Sequence, residues 1–145
     1  MRASGAGSVR RSGGEAGFTL LEIMIVIGVM AILAGIAIPK LLEGRNSGYE
    51  ATAIGYLKTL HNAEAGFQSR ENRWAPLAEL RAKNYMGVDP GGYTVILTIA
   101  ADQGSYTATA TPLIQPAKMR HFYIDTTGVL RYNTGAPADA ASTPL

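Results

Sequence analysis

The chain contains no cysteine. A disulfide scaffold, a thiolate metal site, a cysteine nucleophile and a lipidated cysteine are therefore excluded. Histidine occurs only at His61 and His121, too few for a histidine-rich metal centre. Charge is scarce as well: 17% of the 145 residues are charged and 47% are hydrophobic. Average domains carry about a quarter charged residues, so a disordered acidic or basic tail protein is ruled out. The formal net charge of +2 offers nucleic acid no broad basic surface. The length fits one domain.

Those averages hide an uneven distribution. Residues 1–17 hold Arg2, Arg10, Arg11, one acid (Glu15) and five glycines, with little that packs. The chain has thirteen basic and eleven acidic residues. Three of the basic ones and one acid lie in that segment, which leaves ten of each in 18–145. The positive excess therefore sits entirely at the start.

From Phe18 to Ile38 the chain runs 21 residues with a single charged side chain, Glu22. As a helix this stretch is about 31 Å long, the thickness of a bilayer's hydrocarbon core. A core helix of a globular domain rarely stays apolar on every face for so long. The basic residues precede the span, so the positive-inside rule puts residues 1–17 in the cytoplasm and the rest outside it. A secretory signal has its small residues after the apolar stretch. Here Gly13, Gly14, Ala16 and Gly17 come before it, and a cut there leaves the hydrophobic helix on the mature chain. Arg10-Arg11 lacks the pattern that supports a twin-arginine signal, since no apolar residue follows closely.

The junction reads Gly17-Phe18-Thr19-Leu20-Leu21-Glu22. It closely resembles the processing site of type IV prepilins and of the pseudopilins of type II secretion systems. Four elements coincide: a short basic leader, glycine at the cut, phenylalanine after it, and an acid four residues on. The likeness is close over residues 14–45 and architectural after about residue 70. It implies cleavage between Gly17 and Phe18 by a membrane aspartyl peptidase, which also methylates the new amine on Phe18. It implies further that Glu22 neutralises the N-terminal amine of a neighbouring subunit.

A carboxylate inside such a span costs about 2.5–3.5 kcal/mol at the centre on insertion scales, and less near an end. An interfacial carboxylate without a partner is the plain alternative for Glu22. Paired with an ammonium in a low-dielectric bundle, it becomes a docking and register device. Met24, Gly28, Ala31 and Gly35 recur on one face, a groove for close helix approach. Glycine and alanine are also simply common in such helices. Pro39 bends or locally unwinds the helix, or ends it. The expected assembly residues are Glu22, Thr19, Gly28, Ala31, Gly35 and Pro39.

After Lys40 the pattern turns amphipathic. Ala53, Leu57, Leu60 and Phe67 share a face with Ile54 beside it, while Glu50, Lys58, Asn62 and Arg70 occupy others. Gly44 and Gly48 mark a soft stretch. Residues 71–92 read as a loop with a short helix begun by Pro76, with Leu77, Leu80 and Tyr85 inward and Trp74 and Tyr85 anchoring the loop on the head. Strands are expected over Tyr93–Ala100, Ser105–Thr111, His121–Asp125 and Val129–Asn133, the last two a hairpin around Thr126-Thr127-Gly128. The expected class is α+β, a long N-terminal helix packed on an antiparallel sheet of three or four strands, which resembles the pilin lollipop. The expected organisation is a cytoplasmic leader (1–17, removed), a transmembrane and assembly helix (18–39), its amphipathic outer half (40–70), a globular head (71–133) and a flexible tail (134–145).

No catalytic pattern emerges. His61 and Glu64 are i, i+3 neighbours that read as a solvent-exposed pair, with no nucleophile–base arrangement and no phosphate loop. Asp89, Asp102, Asp125 and Asp139 are scattered singly, without calcium-loop spacing, so no cofactor and no metal are expected. A membrane-anchored binding domain is the competing reading, but an anchor needs neither a cut nor an acid behind it. The resemblance implies a structural subunit of a type IV pilus, or a pseudopilin of type II secretion. It implies these partners: other copies or pilins in a filament, the prepilin peptidase/methyltransferase, an inner-membrane assembly platform with its ATPase, and membrane lipid. Nucleic acid is not expected. The implied location is the bacterial inner membrane, as a single-pass protein with a periplasmic head, and then a periplasmic or extracellular filament.

Overall fold

The computed structural model describes residues 17–145. The expected leader lies outside the described residues except for Gly17. Two compact units divide at Pro39/Lys40.

The first unit is the opening part of helix α1 (Leu20–Glu71, 52 residues). Every described residue up to Arg45 is exposed, including Phe18, Leu20, Ile25 and Leu33. α1 continues through Pro39, so the proline neither ends the helix nor breaks its assignment. Its missing N–H leaves the carbonyl four residues back, that of Gly35, without a helical partner. The helix is also unbroken at Gly44 and Gly48.

The second unit is α+β. The outer part of α1 buries Ala53, Leu57, Leu60, Glu64 and Phe67, an i, i+4, i+7 stripe. That stripe joins one apolar core with Tyr93, Val95, Tyr106, Ala108, Ala110, Met119, Phe122, Ile124 and Leu130. The sheet is an antiparallel meander in chain order. Its strands are β1 (Tyr93–Ile99), β2 (Tyr106–Pro112), β3 (Arg120–Asp125), β4 (Arg131–Thr134) and β5 (Thr143–Pro144). Alternation sends Tyr93 and Val95 of β1, and Tyr106, Ala108 and Ala110 of β2, into the core. Small alanines on β2 leave room for the tilted Tyr93–Phe122 pair, whose ring centroids are 5.8 Å apart.

Five strands replace the expected three or four. The fifth comes from the segment read as a flexible tail. Residues 134–145 fold back: Thr143 pairs Tyr132, Leu145 donates its N–H to the Leu130 carbonyl at 2.9 Å, and Ala138 is buried. Asp139 organises the return by accepting from the Ala141 N–H (3.0 Å) and the Ser142 hydroxyl (2.8 Å). These bonds hold its carboxyl below the usual range, the Ser142 hydroxyl first among them.

The segment between α1 and β1 carries α2 (Leu77–Ala82). Asn72 (φ 53°) and Asn84 (φ 59°) turn the chain after the two helices, in the left-handed region that asparagine tolerates. Leu80 is buried and Leu77 and Trp74 pack at the core edge, as expected. Tyr85 is not inward. It lies on the surface, where its hydroxyl accepts from Arg70 at 2.6 Å and the guanidinium sits over its ring.

Candidate functional site

The chemistry of interest lies at the start of α1. Thr19 precedes the first helical residue, and its Oγ1 accepts the Glu22 N–H at 3.2 Å. Its carbonyl accepts the Ile23 N–H at 3.3 Å. Thr19 is thus the N-cap, and Thr19-Leu20-Leu21-Glu22 has the spacing of a capping box. Thr19, expected as an assembly residue, thus also caps the helix, and threonine followed three places on by glutamate is the sequence signal for that role.

The cap fixes where the helix begins, and so fixes what precedes it. Gly17 and Phe18 lie outside any regular element. Phe18 is 76% exposed. The peptide bond between them thus lies in irregular chain with both residues exposed, one residue ahead of the Thr19 cap. A β-carbon added at Gly17 meets nothing within 4 Å. Packing among the described residues therefore makes no demand for glycine at that position.

Glu22 sits in the first helical turn and is exposed. A negative charge there suits the positive end of the helix dipole. Met24, Gly28, Ala31 and Gly35 are all exposed, and β-carbons built at Gly28 and Gly35 meet nothing within 4 Å. The candidate residues are brought together along one helix, and none is covered by the described chain. The described residues hold one helix long and apolar enough to cross a membrane.

The two histidines are engaged elsewhere. His61 Nδ1 is 2.6 Å from the Tyr106 hydroxyl, and His121 Nε2 is 3.1 Å from the Pro116 carbonyl. Glu64, read as a solvent-exposed partner of His61, is instead fully buried. It accepts the Ala75 N–H at 3.0 Å and so ties the α1–α2 segment to the helix. Burial pushes its carboxyl up, against the Ala75 hydrogen bond, with Glu79 raising and Arg73 lowering it. Glu50, read as lying on an outer face, reaches Arg120 on β3. Its Oε1 accepts the Arg120 N–H at 3.1 Å and its Oε2 the guanidinium at 2.6–2.7 Å.

Fold and site together define a class: an α+β protein on an exposed apolar helix, with a helix cap one residue past an open glycyl bond. Comparison with known proteins agrees. The family model of the prokaryotic N-terminal methylation motif matches residues 13–38. The type IV major pilin protein PilA of Myxococcus xanthus (strain DK1622) is 39% identical over 62 residues, 43% of this chain and 28% of its own. The type II secretion system core protein G of Aeromonas hydrophila is 33% identical over 60 residues, covering 41% and 42%. Its counterpart in Klebsiella pneumoniae is 31% identical over 91 residues, covering 54% and 63%. The matches to these relatives thus span from about a quarter to under two thirds of their lengths. Over these stretches the chain is similar to type IV pilins and to type II secretion core proteins G.

Proposed function

We propose that the protein is a structural subunit of a type IV pilus or pilus-like filament, stored in the inner membrane and polymerised from it. The peptidase cuts between Gly17 and Phe18 and methylates the Phe18 amine. The new ammonium then lies one helical turn from Glu22. Within a single helix the two are splayed along the axis. Between copies, the ammonium of an incoming subunit meets the Glu22 carboxylate of its neighbour. Desolvated together they attract, and desolvated singly each is costly, so the pair selects one axial register. Gly28, Ala31 and Gly35 let the helix backbones approach, and the peptide group that Pro39 leaves unbonded at Gly35 lets the helix loosen there.

The observation that carries this reading is the Thr19 cap with Glu22 behind an open Gly17–Phe18 bond. Intact mass of protein taken from membranes tests it. The expected mass lacks residues 1–17 and gains one methyl group; a chain still starting at Met1 refutes it. Glu22→Ala is expected to be processed yet to assemble poorly, and normal filaments from that variant refute the pairing.

A second reading, a pseudopilin of type II secretion, is favoured by the reach of the similarity: 91 residues to the Klebsiella core protein G against 62 to the pilin. Deleting the gene separates the two. Loss of surface fibres points to a pilus, and loss of an exported enzyme from the medium points to a pseudopilus.

A further inference from the structure

β1 is an outer strand of the sheet, with β2 on one side and no strand on the other among the described residues. The bonds that flank its ladder show which groups it leaves free. Gly92 accepts the Leu113 N–H and Ala100 donates to the Ser105 carbonyl, each at 2.9 Å. Both pairs continue the register that runs from Tyr93↔Pro112 to Ile99↔Tyr106. Bonded and non-bonded pairs alternate in an antiparallel ladder, so Thr94, Ile96 and Thr98 bond to β2. Val95, Leu97 and Ile99 therefore turn their N–H and C=O groups to the open side. No turn or loop bonds to those groups among the described residues. Natural sheets blunt such an edge with charge, proline, a bulge or brevity. β1 uses none of these: it is seven residues long, it pairs β2 without interruption, and no charge falls between Pro90 and Ala101. Ile96 faces away from the core at 57% exposure, and Leu97 and Ile99 are only half-buried against it.

The opposite edge of the sheet is a poor partner for this one. β5 has two residues. The Leu145 N–H bonds to the Leu130 carbonyl, in step with Tyr132↔Thr143, so Pro144 is the residue that turns outward. Proline has no N–H to offer. A second β1 matches well. Laid antiparallel about Ile96, two copies of the strand pair over their whole length. The free groups of Val95 meet those of Leu97 in the other copy, and Tyr93 meets Ile99. Ile96 falls opposite its own copy as a non-hydrogen-bonded pair, where side chains lie closest, with Thr94 opposite Thr98. No like charges oppose one another along the strand, and Leu97 and Ile99 gain the cover that one copy lacks.

We propose that the open edge of β1 is a self-association surface, on which two copies join by antiparallel β1–β1 pairing about Ile96 into one continuous sheet. Each edge is used once, so the contact closes on two copies. Helical filaments grow by head-to-tail contacts instead. The pair therefore belongs to the subunit before polymerisation, and assembly must open it. That last step rests on the filament reading above; the pairing lies within the second unit and does not.

The absence of cysteine allows a direct test. Full-length Ile96→Cys and Thr109→Cys are purified in detergent and oxidised. In the pair, the two copies of residue 96 have Cα atoms about 4.5 Å apart, within disulfide reach. Thr109 is the β2 neighbour of Ile96, so its two copies lie three strand spacings apart, about 14 Å, and out of reach. The expected result is disulfide-linked dimer from Ile96→Cys, formed about tenfold faster than from Thr109→Cys. Ile96→Lys and Ile96→Glu each set like charges against each other. Each is expected to weaken association by about tenfold in sedimentation, and an equal mixture of the two to restore it. Ile96→Cys linking no faster than Thr109→Cys overturns the pairing. So does association unchanged in Ile96→Lys, which assigns it to contacts along the apolar helix. The cysteine comparison decides even where a charged variant fails to fold. Failure of the filament reading, seen as a chain still starting at Met1, leaves these outcomes as they are.

Discussion

Removing Glu50 tests what holds the helix to the sheet. Its carboxylate makes three bonds to Arg120, one to the backbone N–H and two to the guanidinium, across 70 residues of chain. The Glu50 side chain is only 13% exposed and that of Arg120 36%. Hydrogen bonds to charged groups contribute about 1.5–3 kcal/mol each, and breaking a fully buried pair costs about 3–5 kcal/mol. The exposed part of Arg120 stays hydrated, and its guanidinium also lies over Phe122 and Tyr132, so the loss is smaller. Glu50→Ala is expected to destabilise the folded unit by about 2 kcal/mol, or roughly 8–16 °C in Tm for a domain of about 100 residues. Glu50→Gln keeps an acceptor for the backbone N–H and is expected to lose about half as much. The assay is thermal and denaturant unfolding of the full chain in detergent, with Glu50→Ala, Arg120→Ala and the double variant forming a cycle. A loss below about 0.5 kcal/mol for Glu50→Ala, or a coupling near zero, refutes the clamp.

Three other expectations follow from the geometry. Burial raises the Glu64 carboxyl above its ordinary 4.5, so the folded chain keeps that proton at pH values where the unfolded chain has lost it. This contribution is therefore greatest below the ordinary value and falls as pH rises through the raised one. Glu64→Gln, which preserves an acceptor for Ala75, removes that slope; unfolding profiles of the two proteins that stay parallel from pH 4.5 upward refute it. Gly92→Ala forces a β-carbon into the Tyr49 ring at φ +80° and is expected to cost about 2–4 kcal/mol, whereas Gly87→Ala, with nothing within 4 Å, stays near wild type in the same unfolding assay. Thr19→Ala removes the cap, worth about 1 kcal/mol, and is expected to speed hydrogen exchange at the Glu22 amide while leaving exchange in the head unchanged; unchanged exchange at Glu22 refutes the cap.

What the sequence disclosed followed periodicity. Ala53, Leu57, Leu60 and Phe67 were legible because a 3.6-residue stripe has one structural meaning at that length. Strand β1 was legible from its β-branched run, β2 from its threonine–alanine alternation, and β3 and β4 from the turn residues Thr126-Thr127-Gly128 between them. The fifth was not, because Thr143–Pro144 is only two residues in a stretch rich in alanine, proline and serine, and its order comes from Asp139 and from pairing with β4. Glu50 and Glu64 were misread for a shared reason. A carboxylate on a helix is by default a solvated one, and only the arrival of Arg120 and Ala75 from distant chain gives these two their partners. In the site, the Gly17-Phe18…Glu22 spacing was plain, while the role of Thr19 needed the backbone. Tyr85 is expected inward beside Leu77 and Leu80, and its bond to Arg70 holds it at the surface instead.

Strand order equal to chain order has a consequence for biogenesis. A chain made from its N-terminus emerges a few residues at a time, and here each strand after β1 finds its earlier neighbour already in place. No strand must wait for a later one to be inserted beside it, so the sheet can zip in chain order as the chain emerges. One fastening is long-range: Arg120, at the start of β3, closes onto a helix residue 70 positions earlier, before β4 and β5 are added.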